Sequence, residues 1–196
     1  MSPSSASSHP HGGRRIQTRR SSVHGHGVFA LQDIAEGETV IEYKGELIGW
    51  KEALRRHPHD PQQPNHTFYF HIDDKNVIDA NVNGNSARWI NHSCDPNCEA
   101  EVQGTRVFIR ALRDIAAGEE LSYDYGLIID QEYTPELLSE FPCWCGAKNC
   151  RGTLLAPKDA DAKGKKKKKK GKKKKKDRKK AKKDKGKDQK KDESAP

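Results

Sequence analysis

Three cysteines near the end of the foldable part, Cys143-Trp144-Cys145 and then Cys150, set the strongest constraint on what this chain can fold into. Thiolates at C-x-C-x4-C can share one ion, because the loops between them are short enough to turn back on a common centre. A tetrahedral zinc asks for four such ligands. The fourth has to come from elsewhere in the chain. Cys94, in the polar turn Asn91-His92-Ser93-Cys94, is the choice. The alternatives are Cys98, which follows Pro96-Asn97 into an expected strand, and a histidine. A metal held this way staples the C-terminal segment over the Asn91-His92 region and builds a pocket there. Cys98 is then left over and reads as a packed or half-exposed free thiol.

Charge divides the chain. Residues 157–196 hold 21 Lys and one Arg against seven acids, whereas the other 156 residues hold 15 basic and 21 acidic side chains. The basic tail has no apolar residue beyond Ala and Pro and cannot bury enough surface to offset chain entropy. The Ser-, His-, Gly- and Pro-rich opening is expected to be equally unstructured. What remains is a normal size for one domain with one core. No stretch approaches a membrane span and no apolar signal core is present, so an intracellular monomer away from membranes is expected. In a reducing compartment, five cysteines argue for metal or chemistry over disulfides.

Many short strands with little helix predict a mostly-β domain. Strands are expected at 28–31, 39–43, 46–48 and 121–125, with pairs at 68–72/77–79 and 99–102/106–112. A helix is expected over Trp50–Arg56, and another from Pro135, capped by Thr134. Residues 57–66 read as a proline-rich loop, and 84–92 as one short helical turn. Asp33-Ile34-Ala35-Glu36-Gly37-Glu38 is echoed by Asp114-Ile115-Ala116-Ala117-Gly118-Glu119. The echo reads as one turn solution used twice, not as a repeat architecture.

Several smaller signals are weak alone. Gly25-His26-Gly27 reads first as a turn, although glycines let backbone approach a ligand. Strand alternation puts Tyr123 and Tyr125 on one face, where two phenols either pack in the core or line a narrow channel. Tyr43 carries the same ambiguity. His92 beside Cys94 suggests a nucleophile pair, but sequence neighbours are rarely placed for that, and Cys94 is better used as a ligand.

Together these segments resemble the SET-domain family of protein-lysine methyltransferases, over nearly the whole foldable part. The resemblance is carried by Gly25-His26-Gly27-Val28-Phe29-Ala30, Glu42-Tyr43-Lys44-Gly45-Glu46-Leu47-Ile48 and Val77-Ile78-Asp79-Ala80. It continues through Arg88-Trp89-Ile90-Asn91-His92-Ser93-Cys94-Asp95-Pro96-Asn97, Gly118-Glu119-Glu120-Leu121-Ser122-Tyr123-Asp124-Tyr125 and the cysteine-rich segment at 143–152. The resemblance implies small β-sheets with a pseudoknot between the Asn-His-Ser-Cys and Tyr-Asp-Tyr segments. It also implies a post-SET zinc segment bound by Cys94, Cys143, Cys145 and Cys150. The expected divisions are a disordered 1–14, a SET domain at 15–128, the zinc segment at 129–156 and a disordered tail at 157–196.

S-adenosylmethionine is the implied methyl donor. By position, Gly25, His26 and Gly27 meet it through backbone, Phe68 lies against it, Asn91 and His92 hold its amino-acid and adenine parts, and Trp144 covers the adenine. Tyr125 is the implied catalytic tyrosine, with Tyr123 beside the amine and Tyr43 lining the lysine channel. Two departures stand out. No cysteine precedes Gly25 in this sequence, so no pre-SET region is expected, and the insert between Trp50 and Phe68 is very short.

The expected activity is methylation of lysine in a basic protein such as a histone or a histone-like nucleoid protein. The expected location is chromatin or nucleoid, a host nucleus included. The Lys-rich tail suits non-specific nucleic-acid binding first, a nuclear address second and self-methylation third. From a different class, the rival function is a non-catalytic zinc-stabilised module delivered to DNA by the tail.

Overall fold

A computed structural model describes residues 13–57 and 67–158. The loop at 58–66, residues 1–12 of the opening and the Lys-rich run at 159–196 lie outside the described residues. Contacts divide the chain into Met1–Leu155 and Ala156–Pro196, and the architecture below belongs to the first unit.

Ten strands make up two sheets. They are β1 (Ile16–Arg20), β2 (His26–Ala30), β3 (Thr39–Tyr43), β4 (Glu46–Gly49), β5 (Tyr69–His71), β6 (Asn76–Asp79), β7 (Asn91–His92), β8 (Cys98–Gln103), β9 (Arg106–Ala111) and β10 (Glu120–Tyr123). Helix α1 (Trp50–Arg56) follows β4, a 3-10 turn spans Ser86–Trp89, and α2 (Pro135–Glu140) precedes the cysteine-rich segment. The larger sheet runs β1-β2-β10-β8-β9-β3 with β7 on β10, and the smaller runs β4-β6-β5. The mostly-β expectation therefore holds. β1 had no counterpart among the expected strands, and Phe68 and Tyr125 fall just outside strands that were expected to include them. Among the described residues no helix is long and apolar enough to cross a membrane.

Period-two patterning builds the larger sheet. Along β9, Val107, Ile109 and Ala111 are buried while Arg106, Phe108 and Arg110 are not. The two-residue turn before it needs Gly104, whose φ of 66° is the left-handed geometry that tight hairpins favour. Val28, Ile34, Ile90, Ile109, Ile115 and Leu121 meet in one core with Tyr43 and Tyr123. Cys98 is packed in that core, and desolvation pushes its thiol up to about 12. It is an inert apolar filler, the packed alternative of the two foreseen.

The two Asp-Ile-Ala-x-Gly-Glu turns do more than repeat a local solution. β2 leads through the first turn to β3, and β9 leads through the second to β10, while β2 pairs with β10 and β3 with β9. The turns lock face to face. Ile34 and Ile115 form an antiparallel bridge. Asp33 Oδ1 accepts from the Ala117 amide at 2.9 Å, and Asp114 Oδ1 accepts from the Glu36 amide at 2.9 Å. Each glutamate closes its own turn, Glu38 on the Ala35 amide and Glu119 on the Ala116 amide. The two turns form a reciprocal pair, in which each aspartate accepts from a main-chain amide of the other turn.

β10 positions the site. It pairs antiparallel with β2 but parallel with β7, with Ser122 opposite Asn91 and Tyr123 opposite His92. A parallel pair needs a long crossover, and the chain between β7 and β10 provides it through the β8–β9 hairpin. The Asn-His and Tyr-Asp-Tyr segments are thereby brought side by side.

Candidate active site

Four sulfurs converge below β7. The ligand atoms of Cys94, Cys143, Cys145 and Cys150 all lie within 4.8 Å of one another, and the Cys94 and Cys143 sulfurs are 3.8 Å apart. Zn–S bonds of about 2.3 Å in a tetrahedron place sulfurs about 3.8 Å apart, so the donor set fits zinc. Main-chain amides point at the sulfurs: Cys94 to Cys145 at 3.5 Å, Arg151 to Cys94 at 3.4 Å and Gly152 to Cys150 at 3.4 Å. Burial raises the Cys94 and Cys143 thiols, whereas at Cys145 the amides of Cys94 and Ala147 and the neighbouring sulfurs outweigh burial and bring the thiol down to about 6. The rival ligands are placed elsewhere. Cys98 sits in β8, and the His92 ring stands against the Cys94 sulfur outside the four-sulfur group.

Three phenols stand above the cluster. Tyr123 and Tyr125 have ring centroids 5.0 Å apart, and Phe70 bridges Tyr123 to Tyr43 at 6.2 and 5.2 Å. The Tyr43 hydroxyl donates to Phe68 O at 3.1 Å, and the Tyr125 hydroxyl donates to Ile90 O at 2.9 Å. With their protons committed, both oxygens offer lone pairs only. The Tyr123 hydroxyl has no hydrogen-bond partner among the described residues. Burial pushes all three phenols well above their ordinary range, so they remain neutral.

His92 is buried, and burial lowers its pKa despite the nearby Asp124 carboxylate. Its Nδ1 accepts from the Tyr125 amide at 3.1 Å, which leaves the proton on Nε2, 3.4 Å from the Cys94 sulfur. Both ring nitrogens are thus committed inside the protein, and the ring links the cysteine cluster to the tyrosines. Only the main chain of His92 remains for a ligand.

Asn91 is fixed just as firmly. Its Nδ2 donates to His26 O at 2.9 Å, Glu120 Oε1 at 2.9 Å and His24 O at 3.4 Å. The amide orientation follows, and the side-chain carbonyl is left as the acceptor. Glu120 also accepts from the Ser21 hydroxyl at 2.8 Å. Gly27 makes this possible: a Cβ there would collide with the Glu120 carboxylate. Gly25, with φ of 48°, turns the chain into β2 and lines the cavity together with His26, whereas Gly27 does not line it.

Phe68 meets Trp89 edge-on at 4.9 Å, and His26 lies 5.2 Å from the same indole. The Arg88 guanidinium covers both rings, 4.6 Å from Trp89 and 5.3 Å from Phe68. Trp144 is 66% exposed at the opposite wall. One cavity of about 1230 Å³ runs past Gly25, Phe68, Asn91, His92 and Trp144 to all three tyrosines. It exceeds the usual range for one small ligand, so two reactants have room to meet.

Sequence reasoning missed Arg88 and Trp89 as cavity walls, Glu120 as the anchor of Asn91, Phe70 between the tyrosines, and the contact of Asp124 with Arg151. Each lies within one or two residues of a motif position. Motif adjacency was the available signal, but it says nothing about which partner a side chain meets.

Fold and site define a class: a mostly-β domain of small sheets in which a four-cysteine cluster joins a C-terminal segment to the body beside a phenol-lined cavity. The family model described as SET domain matches residues 25–126, and the chain belongs to that family. It is 43% identical over 139 residues to histone-lysine N-methyltransferase trithorax of Drosophila virilis, covering 69% of this chain and 3% of that protein. It is 43% identical over 144 residues to the H3 lysine-4 specific histone-lysine N-methyltransferase of Saccharomyces cerevisiae, covering 71% of this chain and 13% of that protein. Human histone-lysine N-methyltransferase 2B is 42% identical over 139 residues, 69% of this chain and 5% of the relative. The chain thus spans a small part of the relatives it matches. A solved structure of ctPRC2 in an autoinhibited conformation bound to S-adenosylmethionine aligns at a TM-score of 0.52 with 37% identity, over 57% of this chain and 15% of the other.

Proposed function

We propose that this chain is a protein-lysine N-methyltransferase that moves a methyl group from S-adenosylmethionine to a lysine of a basic, histone-type protein. The observation that carries the reading is the pair of pinned phenol oxygens. Tyr43 and Tyr125 each donate to a main-chain carbonyl and turn only lone pairs toward the cavity. Such acceptors attract amine hydrogens and the polarised hydrogens of a methyl group on a sulfonium. Names of relatives at about 40% identity support the histone-type acceptor, and the S-adenosylmethionine-bound neighbour supports the donor.

The displacement forms one C–N bond as one C–S bond breaks, and the positive charge passes from sulfur to nitrogen. Little new charge needs stabilising, so alignment dominates. The acceptor amine must be neutral, and a free lysine of pKa ~10.4 is neutral in less than roughly one molecule in a thousand at pH 7. Tyr43, Phe70 and Tyr123 surround it with aromatic surface, which disfavours the cation by desolvation. Neither the phenols nor His92 serves as a base: the phenols stay protonated and the His92 ring is committed on both nitrogens. The lysine therefore sheds its proton to solvent on entry, and the tyrosines hold the lone pair in line.

Asn91 presents its carbonyl to the ammonium of the donor, while Gly25, His26 and the main chain of His92 face it as backbone. Phe68 and Trp89 under Arg88 form the inner wall of the adenine side, and Trp144 forms the outer wall. The four thiolates hold a structural zinc that staples residues 129–156 to the SET unit at 15–128. Tyr123, with its unengaged hydroxyl, narrows the methyl pocket and halts the reaction at mono- or dimethyl-lysine. Chromatin is the place of action, and the Lys-rich tail anchors the enzyme to nucleic acid without sequence preference.

The test is incubation of the full chain with labelled S-adenosylmethionine and a panel of histones and basic nucleoid proteins. Label on histone lysine, reduced about a hundredfold in Tyr125→Phe, is expected. No label on any basic protein, with the donor unbound by calorimetry, refutes the reading.

A further inference from the structure

We propose that Arg151 is a positioning residue, a latch separate from the four sulfurs, through which the cysteine-rich segment holds the end of β10 and the donor wall of the cavity. The proposal rests on the methyltransferase reading above. Residues 141–155 fold as a small hairpin, with Pro142 bridging Thr153 and the Leu154 amide donating to Phe141 O at 2.9 Å. Described contacts tie this hairpin to the body at three places. One is the Cys94 sulfur in the cluster, and one is the parallel bridge between Leu127 and Leu155. The third is a bidentate ion pair in which Arg151 Nη1 and Nη2 donate to the two Asp124 oxygens at 2.7 and 2.9 Å.

Asp124 stands between Tyr123 and Tyr125. Its Oδ1 also accepts from the Gly126 amide at 3.0 Å and lies 3.5 Å from His92 Nδ1. The main-chain amide of Arg151 meanwhile donates to the Cys94 sulfur. One residue thus touches the metal cluster with its backbone and the tyrosine segment with its side chain. Arg151 is half-buried, its side chain 22% exposed, whereas the Asp124 side chain is 38% exposed. Among the described residues Arg151 Nε is buried without a hydrogen-bond partner, and Nη1 and Nη2 are both engaged by Asp124. A flat fork that matches a carboxylate on two bonds fixes direction as well as distance, which a lysine does not. Neither residue is a metal ligand, so breaking the pair leaves the four sulfurs in place. Cys143, Trp144 and Cys145 wall the cavity. A hairpin held at two points instead of three therefore lets the donor escape.

The full chain is assayed as Arg151→Met, Arg151→Lys, Asp124→Asn and the double Arg151→Met/Asp124→Asn. Measurements are zinc content, S-adenosylmethionine affinity by calorimetry, and steady-state kinetics on a histone. Arg151→Met is expected to keep one zinc per chain and to bind the donor about tenfold more weakly. The KM for the donor should rise more than kcat falls. Arg151→Lys should recover part of the affinity and carries the test if the methionine variant does not fold. The double variant should bind no more weakly than Asp124→Asn, which strands a sheltered cation. Donor affinity within about twofold of wild type, loss of zinc from either arginine variant, or additive losses in the double variant overturns the latch. Wild-type protein that fails to bind the donor overturns the methyltransferase reading instead.

Discussion

Gly27→Ala is a small change with a calculable effect. A Cβ at position 27 lands on the Glu120 carboxylate, 2.7 Å from its carbon and 3.0 Å from Ser21 Cβ. The colliding group is the far end of a flexible side chain, so the backbone stays put and the carboxylate swings away. The cost is therefore the hydrogen bonds lost, not steric strain. Glu120 accepts from Ser21 at 2.8 and 3.0 Å and from Asn91 at 2.9 Å. Bonds from two donors to a charged group contribute about 1.5–3 kcal/mol each, and partial exposure favours the lower end, so the expected loss is about 3 kcal/mol. For a domain of this size that lowers the melting temperature by about 10 °C. Asn91 also loses one of its three anchors, so donor affinity should fall alongside stability. Denaturant unfolding and calorimetry measure the two effects. In a Glu120→Ala background the space is already open, and adding Gly27→Ala should cost less than about 1 kcal/mol. Fully additive losses, or a Gly27→Ala protein as stable as wild type, would refute the packing rationale.

Three further outcomes are expected. Gly84→Ala should be worse than Gly27→Ala, because its Cβ meets the Ala80 carbonyl, which cannot swing aside; a loss above about 4 kcal/mol, seen as insolubility or a collapsed unfolding midpoint, is expected. Cys94→Ser should lose zinc by metal analysis and melt at a lower temperature, whereas Cys98→Ser should keep one zinc per chain. Tyr123→Phe removes the phenol hydroxyl that has no partner among the described residues and should shift the product, read by mass spectrometry, toward trimethyl-lysine; efficient trimethylation by the unmodified protein counts against that role.

The Gly27 example bears on how motifs are read. A G-x-G before a strand suggests backbone reaching a ligand. Here the first glycine makes the turn, and the second clears space for a carboxylate that orients Asn91 from the rear. The two residues of one motif thus answer to different physics. His92 makes the same point. Proximity to Cys94 in the chain suggested shared chemistry, and the two do touch, but the contact ties the cysteine cluster to the Tyr125 amide and leaves no free ring nitrogen.

Some of this was present in the order of residues alone. Period-two patterning marked β9, the Gly104 turn marked the β8–β9 hairpin, and the capped Thr134-Pro135 start marked α2, because each depends on contacts within a few residues. The choice of Cys94 over Cys98 was legible for a similar reason: one cysteine sits in a polar turn and the other enters an apolar strand. Other features depend on partners distant in the chain. Asp33 and Asp114 satisfy each other's turns across 80-odd residues of chain. Tyr43 and Tyr125 become one-sided acceptors only because Phe68 and Ile90 offer carbonyls at the right place. Arg151 meets Asp124 across 27 residues of chain, at the end of the strand that pairs in parallel with β7. Local propensity and spacing can name the groups that carry chemistry. Which lone pair faces the cavity and which proton is already committed is decided by the fold, since a hydrogen bond depends on distances and angles between segments that the linear order leaves open.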